Sequence, residues 1–460
     1  MVPASGRDFF GSHMSRTVIK NATIVNEGRI FISDLLIENG RISRISGSIS
    51  AGSGDIIIDL AGNFLMPGII DDQVHFRDPG FPEKATIESE SRAAAAGGTT
   101  SFMDMPNTRP QTVTSELLDE KLRKAARDSL VNYGFFLGAT NTNIEEIKRL
   151  DPRKTAGVKV FMGSSTGNML VDSPETLEQI FRYSPVIIAT HCEDMGVIDR
   201  NTAEIKDKYG DNPPFSVHPE IRSAEACLKS SSLAIELAQK TGANLHIFHL
   251  STREETELLR KVSRGPLEER RITAEVCMPH LTFTSDDYEK LGRYIKCNPA
   301  VKGREDRDAL FRGLADGTIS LIATDHAPHA AAEKEKPYFS CPSGIPMIQF
   351  TLPLLLEFYN EGRISLETIA MAAAHNPAVR YQIRDRGFIR EGYFADLTAF
   401  SADELTVPSE SSILSLCGWS PLAGRSIRGR VLMTMVNGNV VYENGKINDC
   451  SRGQQLAFDR

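Results

Sequence analysis

Between residues 66 and 385 short apolar runs alternate with longer stretches of helical periodicity. Eight runs read as strands: residues 69–75, 100–104, 131–137, 157–161, 186–191, 244–249, 272–277 and 319–325. Helix-like segments lie between them. Residues 88–96 are Ala-rich and stop at Gly97-Gly98, residues 115–127 are amphipathic and charged, and residues 223–240 end just before Gly242. Residues 254–262 and 305–314 complete the set. Strands alternating with helices predict parallel βα units, and eight such units predict an α/β fold of the closed (β/α)8 barrel type. The connections after the fourth, fifth and eighth runs are long, and the count of units is weakest there.

The two ends of the chain have a different texture. Residues 18–20, 23–25, 34–38, 41–45 and 56–60 are short runs punctuated by Gly, Asn and Ser. The pattern returns at 396–400, 431–436 and 439–442, where Asn437-Gly438 is a strong hairpin signal. We therefore expect a small β-sandwich-like domain built from residues 15–65 and 388–460, flanking a barrel domain at 66–387. Residues 1–14, ending in Gly11-Ser12-His13-Met14, read as the remnant of an expression tag, so His13 is set aside as a ligand.

Composition narrows the class of function. At 460 residues the chain can bury a large core, and 24% charged with 41% hydrophobic residues is ordinary for a soluble globular protein. Lys and Arg number 52 against 60 Asp and Glu, a net charge of −8, which argues against general nucleic-acid affinity. No apolar run approaches the length that spans a bilayer. The seven cysteines are scattered, without a CxxC pair, and read as reduced cytoplasmic thiols.

The chemistry collects where the apolar runs end. Met66-Pro67-Gly68-Ile69-Ile70 leads into Asp71-Asp72-Gln73-Val74-His75-Phe76-Arg77, and alternation sends residues 73 and 75 to one face. Asp104, Lys159, His191, His249 and Asp325 each close or nearly close another run. One such histidine is more often a satisfied core residue than a ligand. Three of them with a lysine and an aspartate, on separate strands of one barrel, point to a site at the C-terminal end of the strands. Imidazole and carboxylate together suit zinc. Lys159 lies between Val158 and Val160 and points inward. Two readings stay open for it: an ion pair with a buried acid, or a neutral amine that takes up carbon dioxide and becomes an anionic carbamate able to bridge metals. Asp325 heads Asp-His-Ala-Pro-His, where a carboxylate could hold a metal and accept a proton from water. Arg77 offers a planar fork that suits a carboxylate. His329 sits in a Pro-containing loop and reads as a substrate contact.

The Pro-Gly-Ile-Ile-Asp opening, the Asp-His-Ala-Pro-His segment and the closing hairpin at 429–442 resemble the cyclic amidohydrolases. His75-Phe76-Arg77-Asp78-Pro79-Gly80, Met105-Pro106-Asn107-Thr108 and Cys297-Asn298-Pro299 are similar, within them, to bacterial-type dihydroorotases. The likeness runs from about residue 17 to about 445. It implies a metal-dependent β/α barrel that closes N-carbamoyl-L-aspartate reversibly to dihydroorotate in pyrimidine synthesis, with one or two zinc ions per chain. Residue by residue, it implies that His75, Lys159, His191, His249 and Asp325 hold metal, with Lys159 as a bridging carbamate. It makes Asp325 also the catalytic acid and base. It makes Arg77, Asn107, Asn298 and His329 contacts to substrate, with the Pro342-Ser343-Gly344 loop adding backbone contacts. A small-molecule substrate is implied, with no nucleic-acid or membrane partner, and homo-oligomerisation is left open.

The departure is Gln73, where the family usually has histidine. An amide oxygen is the weaker ligand for zinc, so the metal beside residues 73 and 75 is expected to bind weakly or be absent. The alternatives are another cyclic amidohydrolase (hydantoinase, dihydropyrimidinase or allantoinase) and a catalytically silent scaffold relative. Arg77 with Asn107 argues against the first, because hydantoin and dihydrouracil lack a carboxylate. Only Gln73 favours the second.

Overall fold

The computed structural model describes residues 16–163 and 169–460; residues 1–14, read above as a tag remnant, lie outside them. The chain opens with five strands, β1 (Arg16–Asn26), β2 (Arg29–Glu38), β3 (Arg41–Ser46), β4 (Ile56–Asp59) and β5 (Phe64–Pro67). Eight more follow: β6 (Ile69–Val74), β7 (Thr99–Asp104), β8 (Asn132–Gly138), β9 (Gly157–Phe161), β10 (Ile188–His191), β11 (Leu245–Ile247), β12 (Ile272–Cys277) and β13 (Leu321–Ala323). These eight pair in chain order, all parallel. The first and last meet through a parallel bridge between Val74 and His326, and through Thr324, which donates N–H and O–H to the carboxylate of Asp71. The sheet is thereby a closed barrel.

The helices form where the sequence stops and starts them. Thr86 and Ser89 cap each other's backbone to begin Ile87–Ala96, and Gly97 ends it. Thr114, Ser223 and Thr252 cap Ser115–Asp128, Ala224–Thr241 and Arg253–Val262 through side-chain oxygens. Gly242, at φ 76°, takes the left-handed turn that closes Ala224–Thr241. The long connections after β9, β10 and β13 carry the helices Pro174–Tyr183, Met195–Tyr209 and Thr351–Asn360.

The outward strand residues Val158, Val160, Ile188, Leu245, Ile247, Ala274 and Val276 pack on the helices in the main core. The inward ones divide by height. Ile70, Met103, Phe136, Ile187, Phe248 and Leu321 join Tyr381, Leu456 and Phe458 in a separate apolar cluster that fills the lower barrel. The C-terminal segment reaches it by pairing Gln455 with Tyr133 and Phe458 with Ile383.

Four last strands, β14 (Leu397–Thr406), β15 (Ile427–Val436), β16 (Asn439–Glu443) and β17 (Lys446–Ile447), rejoin the first five in one nine-stranded mixed sheet. β5 pairs antiparallel with β14, Phe64 opposite Phe400. Ile19, Ile24, Leu35, Ile37, Leu65, Leu397 and Met433 share one core, so both chain ends contribute to a single small β-domain.

Candidate active site

The nine residues singled out from the sequence, His75, Arg77, Asn107, Lys159, His191, His249, Asn298, Asp325 and His329, all line one cavity of about 270 Å³. Gln73, Phe161, Ala327 and the Pro342-Ser343-Gly344 loop complete its wall. Asp104 is the exception among the strand-end polar residues. It is buried in an ion pair with Lys121 at 2.5 Å and accepts the backbone N–H of Phe76, which makes it a support for the turn after β6.

Strand alternation alone does not bring these groups together. Arg77, His249 and Asp325 lie beyond the ends of their strands at φ 61°, 43° and 46°. A residue with a side chain adopts that left-handed region at a cost, and such residues gather at sites where the fold over-determines them. Here the turn redirects each side chain from the strand axis toward the mouth of the barrel.

His191 and His249 face each other, Nδ1 to Nε2, at 3.0 Å. The opposite nitrogen of His191 lies 2.8 Å from Glu193 Oε2, and Glu193 is paired in turn with Arg222. A carboxylate behind a histidine fixes its tautomer and turns the other lone pair outward, as metal-binding histidines require. Burial alone would raise Glu193, but Arg222 and His191 outweigh it and hold the carboxyl down at about 2. Burial lowers His191 and pushes His249 well below the ordinary imidazole range, so both rings are neutral and have lone pairs to give. Among the described residues the buried His249 Nδ1 has no hydrogen bond.

Lys159 sits in an apolar slot, its ammonium 4.1 Å from the ring centre of Phe248 and 4.8 Å from that of Phe161. Among the described residues it makes no hydrogen bond or ion pair. Burial lowers it to about 7, against the pull of Asp325 and Glu275. His191, His249 and Lys159 with Asp325 therefore present neutral imidazoles, a deprotonatable amine and a carboxylate to one space, a donor set that fits a divalent ion such as zinc.

Gln73 faces the same space but is tied down. Its Oε1 accepts from Cys277 Sγ at 3.2 Å, and its Nε2 lies 3.4 Å from Asp325 Oδ1. His75 Nε2 is 3.2 Å from the same oxygen, and its Nδ1 is 2.8 Å from Asn107 Oδ1. Asn107 therefore orients His75.

Across the cavity lies a positive corner. Arg77 is 3.1 Å from His329 Nε2 and donates Nε–H to the carbonyl of Pro328. Among the described residues it has no ion pair. Lys84 lies 3.3 Å from His329 Nδ1 but is paired with Glu333 at 3.0 Å, so the unpaired charge facing the cavity is that of Arg77. Buried Lys334 donates to the carbonyls of Pro342 and Gly344, holding the loop that forms the rim. Burial, then Arg77 and Lys84, hold His329 well below the ordinary range, so it is neutral. Among the described residues the buried Asn298 Oδ1 has no hydrogen-bond partner.

Sequence reasoning missed Glu193, Arg222, Lys84 and Lys334. Glu193 carried a legible signal, since it stands two residues after His191 and shares its face. Arg222 comes from a distant connection, and Lys84 and Lys334, seven and five residues after Arg77 and His329, follow no periodicity that would single them out.

The amidohydrolase family profile matches residues 64–441. The dihydroorotase of Halobacterium salinarum is 34% identical over 94% of this chain and 97% of its own length. That of Lactobacillus acidophilus is 33% identical over 94% and 99%. Among solved structures, the L-hydantoinase (dihydropyrimidinase) of Arthrobacter aurescens superposes with a TM-score of 0.90 over 96% of this chain and all of its own, at 28% identity.

Proposed function

The chain belongs to the amidohydrolase family, and from that premise we propose that it works as a dihydroorotase, interconverting N-carbamoyl-L-aspartate and (S)-dihydroorotate in pyrimidine synthesis. It is a hydrolase acting on a cyclic amide. The observation that carries the choice of ring is Arg77: a guanidinium facing the cavity with no acid in ion-pair reach among the described residues, flanked by neutral His329 and open Asn298. That corner suits a carboxylate, which dihydroorotate has and hydantoin and dihydrouracil lack. The hydantoinase-like fold keeps the second reading in play, because the scaffold is shared.

Arg77 binds the ring carboxylate in this reading, and Asn298 and His329 fix the ring edge. In the hydrolytic direction Asp325 takes a proton from the attacking water, the ring C–N bond breaks, and the proton returns to the leaving nitrogen. A zinc ion held by His191, His249, Asp325 and a carbamate on Lys159 would polarise the amide carbonyl and acidify the water. Formation of that carbamate consumes carbon dioxide and releases one proton from the Lys159 amine. The apolar slot favours the neutral amine that the addition needs. Gln73 has its oxygen engaged by Cys277, which supports one ion at His191 and His249 over a tightly bound pair. All seven cysteines are free, six of them buried, which supports a cytoplasmic setting. Among the described residues no helix is long and apolar enough to cross a membrane.

The test is a substrate panel with zinc supplied: dihydroorotate, dihydrouracil, hydantoin and allantoin. Dihydroorotate should have the highest kcat/KM, and Arg77→Met should lower it about 10- to 100-fold, the loss of a charge-assisted hydrogen bond. Preference for hydantoin or dihydrouracil would transfer the assignment to those enzymes. No turnover on any ring would favour the scaffold.

A further inference from the structure

Below the cavity, and outside its lining, three titratable side chains meet inside the barrel. Asp72 comes from β6, His246 from β11 and Glu275 from β12, and each is 0% exposed. None was singled out by the sequence reading. One oxygen or nitrogen from each lies within 4.8 Å of the others. His246 Nε2 is 3.2 Å from Glu275 Oε2 and 3.4 Å from Asp72 Oδ2. Among the described residues neither oxygen of Asp72 has a hydrogen bond of ordinary geometry, nor has the hydroxyl of Tyr381, which faces Asp72.

We propose that Asp72, His246 and Glu275 bind a second divalent ion of the zinc class, distinct from the one at the mouth and structural in role.

Four observations support it. The 3.2 Å separation is at the long end of an N–H···O hydrogen bond, and the 3.4 Å one lies beyond it. They match the edge of a ligand tetrahedron, about 3.3 Å for bonds of 2.0–2.1 Å. His246 Nδ1 is 2.8 Å from Thr273 Oγ1, a contact that, with Nδ1 as donor, directs the Nε2 lone pair at the two acids. A lone pair facing two buried carboxylates is repulsive unless a cation or a shared proton lies between. The oxygens of Asp72, buried without a hydrogen bond of ordinary geometry among the described residues, are available to a cation, because buried polar groups are otherwise paired. The chemistry of the set, one imidazole with two carboxylates, selects a borderline transition ion over calcium or magnesium.

The role follows from the other oxygen of Glu275. Oε1 accepts the backbone N–H of His249 at 3.4 Å, at the residue held at φ 43°. An ion that anchors Glu275 braces the turn that aims His249 into the cavity.

Enclosure predicts slow exchange. The full chain, loaded with zinc, is dialysed against a chelator and its metal content measured by plasma mass spectrometry. One zinc per chain should resist removal. It should persist in a His191→Asn/His249→Asn double variant and be lost in His246→Gln and Asp72→Asn. Absence of a resistant ion in the native chain, or its retention in His246→Gln, would overturn the proposal; in that case the three groups share a proton instead. Should the variants fail to fold, crystals of the native chain decide. An anomalous zinc peak between His246, Asp72 and Glu275 is expected, and a protein-only interior there refutes it. Activity on dihydroorotate does not enter the readout, so this inference and the functional reading can fail separately.

Discussion

The two ends of the barrel are built from the same eight strands and have opposite characters. At the lower end Phe136 packs edge-on against Phe248 at 5.7 Å and Tyr381 at 6.0 Å, and Leu456 and Phe458 close the floor. At the upper end eleven polar side chains share a cavity, and three of them come from residues with a left-handed backbone. Apolar interdigitation stabilises, whereas desolvated polar groups and strained turns cost free energy and are kept for what they do. The difference teaches that stability and chemistry are separable along the barrel axis, as in other barrels of this architecture.

Substitutions at the two ends should therefore break different properties. Asp325→Asn should lower kcat by about 10³-fold through loss of the proton acceptor, with the unfolding midpoint unchanged or raised. Comparable turnover in the variant would remove Asp325 from the chemistry. Phe458→Ala should do the reverse, costing about 3–5 kcal/mol of stability in denaturant unfolding. Its kcat/KM should stay near the native value while the chain is folded. A matching fall in kcat/KM would show the two ends to be coupled.

Lys334, at the rim, sharpens the contrast by pH. Burial lowers it from 10.5 to about 8, so the unfolded chain holds a proton between those values that the folded chain has released. Stability should thus rise as pH goes from about 8 to 10.5, by about 3 kcal/mol in excess of Lys334→Met, and the two should run parallel below 8. A variant whose stability has the native pH slope would contradict this. The smallest effect is expected behind the ligands. Glu193→Gln should weaken zinc affinity about 10- to 100-fold by loosening His191, without unfolding the chain. Equilibrium competition with a chromogenic chelator would detect it, and native affinity would leave Glu193 with a packing role only.

What could be read in the sequence follows the same division. The helices Ile87–Ala96, Ser115–Asp128, Ala224–Thr241, Arg253–Val262 and Arg304–Ala315 stand within a residue or two of their expected bounds, because caps and glycine stops are local signals. The barrel strands were legible as apolar runs for the same reason. β11 and β13 are shorter than expected, ending at Ile247 and Ala323. His249 and Asp325 were therefore read as strand ends, whereas left-handed turns deliver them, and nothing in an apolar run announces such a turn. The meeting of Asp72, His246 and Glu275 was illegible because it depends on register between three strands. Met195–Tyr209 escaped notice because its polar residues mask the helical period.

The pairing of Phe64 with Phe400 joins positions 336 residues apart. Closing a loop of that length from a disordered chain costs about 5 kcal/mol beyond a constant term, so the nine-stranded sheet is expected to assemble late, once the barrel has already drawn the two segments together. Until then Phe64–Pro67 has one flank without a partner strand, the kind of open β edge on which neighbouring chains aggregate. During synthesis that exposure lasts for as long as the ribosome takes to produce the intervening barrel.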